Sequence, residues 1–148
     1  MPAFVTLGRI LFAVLFVFSG ASKLMDLATT TQMTEKIVIP TVLAPYTEQL
    51  ATMAGMSFPK ILAIAAGAIE VLCGVTIALN FGARFFALIL ILFVAFATFY
   101  FHDFWNQTGA EASNNMVHAL KNLSLIGALF IIAGSSRVVT VQTPAYEV

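Results

Sequence analysis

The sequence predicts an all-α integral membrane protein, a four-helix bundle with short surface helices between its first and second spans. Three observations carry that prediction. Of 148 residues, 60% are hydrophobic and only 9% are charged, whereas soluble domains run at about 45–50% apolar and about 25% charged. Four stretches, residues 3–24, 61–79, 83–101 and 117–134, each approach the roughly 20 mostly apolar residues that a helix needs to cross a bilayer. Seven Lys+Arg balance seven Asp+Glu, so the basic excess that nucleic-acid binding requires is missing. A single cysteine, Cys73, excludes a disulfide framework and any multi-thiolate metal site built by this chain alone, and no metal site is expected.

The elements follow in order along one membrane domain, 1–148. In the first span, Arg9, the run ILFAVLFVF and Ser19-Gly20-Ala21 also fit a secretory signal with a small-residue cleavage site. Read as a span instead, the segment gives an even number of crossings and puts both termini on one side. The surface segment 25–60 is the one region of soluble-like composition; Pro40, Pro45 and Pro59 punctuate it, leaving short helical pieces at 27–38 and 46–54 that lie on the membrane or cap the bundle. The tight turn Asn80-Phe81-Gly82 makes the second and third spans antiparallel neighbours. The loop 102–116 is polar with an aromatic start, and Tyr100 and Trp105 suit an interfacial belt. The tail 135–148, with Pro144, has too few apolar residues to form anything independent.

Orientation is nearly balanced. Arg9, Arg84 and Arg137 fall with the termini; Lys23, Lys36, Lys60 and Lys121 fall at or near the other side. The free amino terminus, and the discounting of Lys36 in mid-loop, tip the termini to the cytoplasmic side of an inner (plasma) membrane.

Charges held at membrane depth are costly, about 2.5–3.5 kcal/mol each on insertion scales, so they face the bundle interior and find partners. Glu70 sits near the middle of the second span, and Arg9, 14 residues before Lys23, lies about 21 Å below the end of the first. The two depths differ by about 6 Å, a gap an arginine can bridge, which predicts an Arg9–Glu70 pair. Helical spacing puts Asn115, His118, Lys121 and Asn122 on one face of the fourth span. The expected interior is therefore layered: Lys23, His102, Asp103, His118, Lys121 and Asn122 near the side opposite the termini, Glu70 with Arg9 at mid-depth, and Arg84 towards the terminal side. Gly20, Gly67 and Gly74 are small enough to let helices approach closely. Simpler roles stand beside these. Arg84 and Lys23 suit interfacial anchors, and Cys73 suits a small packing residue. Phe81, Phe85, Phe86, Phe93, Phe96, Phe99 and Phe101 suit lipid-facing and inter-helix packing.

The stretches GRILFAVLFVFSGASKL at 8–24, AAGAIEVLCGVTIALNFGARFFAL at 65–88, His102-Asp103-Phe104-Trp105 and HALKNLSLIGALFIIAG at 118–134 carry a resemblance. Together they resemble the DoxX family of small four-helix bacterial membrane proteins. The resemblance points to Arg9, Gly20, Lys23, Glu70, Gly74, Gly82, Arg84, His102 and Asn122 as the positions of interest. It implies a redox setting, since members resemble the small subunit of a thiosulfate:quinone oxidoreductase or accompany membrane oxidoreductase and detoxification systems. The segment 27–58 matches least.

The leading functional expectation is thus a subunit or accessory of a quinone-linked membrane oxidoreductase or redox-stress system, with quinone as the candidate cofactor. Aromatic residues would supply a flat slot, His102 or Lys121 with Asn122 the hydrogen-bond donors, and Glu70 a proton path. Alternatives are a purely structural assembly subunit and a small proton-coupled transporter working through Glu70. A bis-histidine haem between His102 and His118 ranks last. The expected partners are the lipid bilayer and either a membrane protein or a second copy of the chain.

Overall fold

The computed structural model describes residues 2–135; Arg137, Pro144 and the rest of the tail considered above lie outside the described residues. Helix α1 (Pro2–Met25) is followed by α2 (Leu27–Thr34), a 3-10 turn (Thr41–Leu43) and α3 (Ala44–Ala54). Then come α4 (Phe58–Ala78), α5 (Ala83–Phe101), a 3-10 turn (Phe104–Asn106) and α6 (Gly109–Gly134). Helices α1, α4, α5 and α6 are long and apolar enough to cross a membrane, so the molecule is an all-α membrane helix bundle.

Local chemistry explains most of the boundaries. Asp26 caps α2 by accepting the Thr29 N–H at 3.1 Å, and that bond holds its carboxyl below the ordinary range. Helix α4 starts at Phe58, three residues ahead of the predicted span, because Pro59 falls in its first turn, where no amide donor is needed. At its other end, Phe81 N–H bonds to Thr76 O and Asn80 N–H to Ile77 O around a left-handed Asn80 (φ 57°). A left-handed Gly82 (φ 58°) then releases α5 in the antiparallel direction. Helix α6 begins at Gly109, well before the predicted 117. Its first two turns are polar, and Asn115 is bonded back to the preceding loop, which keeps them helical outside the apolar stretch.

Packing is uneven. Helix α1 lies along α4, α5 along α6, and α4 adjoins α5, while α2 and α3 cover the first half of α4. The α1–α4 contact is the closest. A Cβ added to Gly20 would stand 2.6 Å from the carbonyl oxygen of Gly67, and one added to Gly74 would stand 2.8 Å from Val17 Cγ2. Backbones this near give strong dispersion contact in a solvent where apolar burial itself gains nothing. The core (Phe16, Cys73, Ile77, Ala83, Ala87, Leu90, Val94, Leu129, Ala133) gathers in the half of the bundle next to the 80–82 turn. Beyond Val94 in α5, and before Leu129 in α6, no described residue is buried. In that outer half, the two helices are joined by polar contacts.

Candidate functional site

Antiparallel packing of α1 on α4 sets Gly20 against Gly67 and Glu70, Val17 against Gly74, and Arg9 against Asn80. Glu70 is 5% exposed and its carboxylate is fully engaged. Lys23 Nζ donates to Glu70 Oε2 at 2.6 Å and to Ser19 Oγ at 2.6 Å, and the Ser19 hydroxyl donates to the carboxylate, 3.2 Å from either oxygen. Ser19 and Lys23 are one turn apart on α1, so a single face presents both donors.

The expected Arg9–Glu70 pair does not form. Equal span ends would put Lys23 level with residue 61, but the glycine contacts slide α4 so that Glu70 stands opposite Ser19, about 15 Å from the level of Arg9. Arg9 donates from Nη1 to Asn80 Oδ1 at 2.6 Å and from Nη2 to Thr6 Oγ1 at 3.4 Å. It therefore belongs to the terminal layer with the exposed Arg84, and Lys23 takes its place at Glu70.

Helix direction explains why Lys23 is drawn inward, where an interfacial anchor was the simpler expectation. Cα–Cβ bonds tilt towards the helix N-terminus, so the Lys23 side chain, near the C-terminal end of α1, bends back into the bundle. On α6, which enters from the same side, that tilt points Lys121 outward. Lys121 is exposed and makes no hydrogen bond or ion pair among the described residues.

A second polar group occupies the outer half of α5 and α6. Asn122 Nδ2 donates to Thr98 Oγ1 at 2.9 Å, and Thr98 in turn donates to Val94 O at 2.6 Å. One turn further out, His102 Nδ1 lies 3.0 Å from Asn115 Oδ1, and the His102 and His118 rings stack with centroids 5.0 Å apart at an interplanar angle of 10°. Asn115 Nδ2 donates to Gln107 Oε1 at 2.6 Å, Gln107 Nε2 to Asp103 Oδ1 at 2.9 Å, and Asn106 Nδ2 to Asp103 Oδ2 at 3.4 Å. Beside this group lies an open groove of about 310 Å³, lined by Ala95, Thr98, Phe104, Met116, Ala119, Leu120, Leu123 and Ile126.

His102, Asp103, His118 and Asn122 thus come together, as do Lys23 and Glu70, but in two separate groups. Lys121 and Arg84 join neither through a bond. Sequence reasoning missed Ser19, Asn80, Thr98 and Gln107. The signal for Ser19 was its spacing of four from Lys23; Gln107 sits in a loop, where no periodicity marks it.

Known proteins bear on the chain's identity. It is 26% identical over 132 residues to "Inner membrane protein YphA" of Escherichia coli (strain K12), a match that covers 89% of this chain and 82% of the relative. No solved structure matches it. The model of the DoxX family matches residues 4–103, two-thirds of the chain, taking in α1, α4, α5 and the Lys23–Glu70 pair, and the chain belongs to the DoxX family.

Proposed function

We propose that this DoxX protein is an inner-membrane accessory subunit of a quinone-linked redox system, in which the α5–α6 groove docks a quinone ring. The inner-membrane placement is carried from the Escherichia coli relative by name. One observation carries the docking reading: Thr98, which Asn122 bonds, is part of the wall of an otherwise apolar groove that includes the exposed Met116, Leu120 and Leu123, and the His102–Asn115 pair lies one turn beyond Thr98. A quinone partitions into lipid and needs flat apolar walls with a few polar groups at the ring oxygens. At about 310 Å³ the groove is at the small end of ligand sites, which suits a single ring whose tail stays in lipid.

When bound, such a ring supplies paired electron and proton transfer. The chain's own residues do the holding. Thr98, held by Asn122 from behind, is the polar group of the wall, Phe104 offers an aromatic wall, and Ala95 and Ala119 leave room for the ring. Glu70 takes no part in this reading, because it is tied to Lys23 and Ser19 on α1 and does not line the groove.

A photoreactive short-chain benzoquinone tests the proposal on purified protein in nanodiscs. Labelling is expected in the peptide spanning 116–126, and Ala119→Trp, which fills the groove, should lower it about tenfold, the loss of one ring's contacts. Labelling that is undiminished in Ala119→Trp rejects the groove. The closed Lys23–Glu70–Ser19 network favours a second reading, a subunit whose interior polar groups serve assembly alone. Under that reading no quinone labels the protein at all.

A further inference from the structure

We propose that the Asp103–Gln107–Asn115 chain holds neutral His102 with its proton on Nδ1, so that Nε2 is a hydrogen-bond acceptor that selects the hydroxyl-bearing, reduced form of the ring. The selection rests on the docking reading given above; the tautomer does not.

Ionised Asp103 can only accept, so Gln107, 2.9 Å away, must turn its amide nitrogen towards it. That leaves Gln107 Oε1 facing Asn115 at 2.6 Å, where only the Asn115 amide nitrogen can donate. Asn115 Oδ1 is then the atom facing His102 Nδ1 at 3.0 Å, and the ring nitrogen must carry the hydrogen. Each amide has one oxygen and one nitrogen end, so a single acceptor-only group sets the sense of every bond along the chain. The orientations are fixed by this logic and need no choice between look-alike amide atoms.

Nε2 is left with a lone pair and no hydrogen-bond partner among the described residues. His102 stands one turn beyond Thr98 on α5, and Asn115 directly precedes Met116 of the groove wall. A ring hydroxyl brought to Nε2 donates to it. A ring carbonyl in the same place sets lone pair against lone pair, and a polar site that loses its partner discriminates strongly. Asp103, Gln107 and Asn115 are positioning residues here, since they act on the ligand only through His102.

The test uses full-length protein with ¹⁵N-labelled histidine in nanodiscs at a pH where His102 is neutral, with His102→Gln to assign its signals. Nitrogen NMR should show a protonated Nδ1 and a bare Nε2. Asp103→Asn, whose amide lets the chain run either way, should mix the two tautomers, and Asp103→Glu should restore the original one. Asn115→Leu cuts the last link without touching the Asp103 loop and should mix them as well. In a paired binding measurement without oxygen, a decyl hydroquinone should bind about tenfold tighter than the matching benzoquinone, with the ratio falling to about twofold in Asp103→Asn. A protonated Nε2 in the wild type overturns the proposal, as does a benzoquinone bound equally well alongside the expected tautomer. If neither ring binds and the tautomer is as stated, the docking reading fails and the selection with it, while the polarity of the chain stands on its own measurement.

Discussion

At the residue scale, Lys23 and Glu70 show how position alone turns ordinary side chains into a lock. With Glu70 nearly sealed off, removing one partner leaves the other charge to find a new counter-group or water inside an apolar bundle, whereas removing both leaves no charge behind. Glu70→Gln is therefore expected to destabilise the protein by about 2–4 kcal/mol, less than for a fully enclosed pair because the Lys23 side chain keeps 30% exposure and can swing outward. The double variant Lys23→Met with Glu70→Met should cost less than Glu70→Gln alone. Equilibrium unfolding in mild detergent measures both, with Lys23→Met and Glu70→Met made singly to complete the double-mutant cycle; a double variant that loses the sum of those two singles would show that the residues do not interact.

At the element scale, α1 and α4 come closest where glycines face each other. Gly20 meets the backbone oxygen of Gly67 and the Cβ of Glu70, none of which can yield to an added methyl group, while Gly127 on α6 has nothing within 4 Å of its would-be Cβ. Gly20→Ala should therefore lower stability by about 1–3 kcal/mol through forced separation of the helices, and Gly127→Ala should be near neutral. Thermal unfolding of the two variants side by side checks this; equal shifts would mean that the α1–α4 approach is not what Gly20 protects. The same contacts mark the limit of what the sequence could tell. Each membrane helix was legible from its apolar run, and the 80–82 turn from Asn and Gly, because these are local signals. The relative slide of two packed helices is not local. It depends on which small residues face each other, and a slide of a few residues was enough to exchange Arg9 for Lys23 as the partner of Glu70. The first turns of α6 were missed for a related reason: their helicity depends on Asn115 bonding to a loop eight residues away, which no run of hydrophobic residues announces.

At the scale of the whole molecule, the described charges are segregated. Arg9 and Arg84 lie on the terminal side with no carboxylate near them in the described chain, whereas Asp26, Glu35, Glu48, Glu70, Asp103 and Glu111 all lie towards the other side with the four lysines. A bare count of the described Lys and Arg, four against two, points the other way, but the lysines share their side with six carboxylates whereas the arginines are uncompensated, so attraction to an anionic cytoplasmic leaflet, about 1 kcal/mol for each such cation near its surface, favours the orientation with the termini inside. Single cysteines in a Cys73→Ala background test it: Thr108→Cys should react with an impermeant thiol reagent added outside intact spheroplasts, and Phe81→Cys only after lysis. The reverse pattern inverts the topology and moves the groove and His102 to the cytoplasmic side.

The glycine seam and the Lys23–Glu70 pair also relieve the intervening chain of a duty. Because α1 and α4 find their alignment through their own surfaces, the connection from α2 to Ser57 does not have to measure out the distance between them. Residues can be gained or lost around Ile37–Pro40 or Gly55–Ser57, outside the helices, without moving Glu70 relative to Lys23. One residue inserted between Gly20 and Lys23 would instead turn the lysine by about 100° away from its partner. Variation in length should therefore concentrate in the surface segment and be purged from the two helices it joins, leaving that segment free to diverge towards different partners.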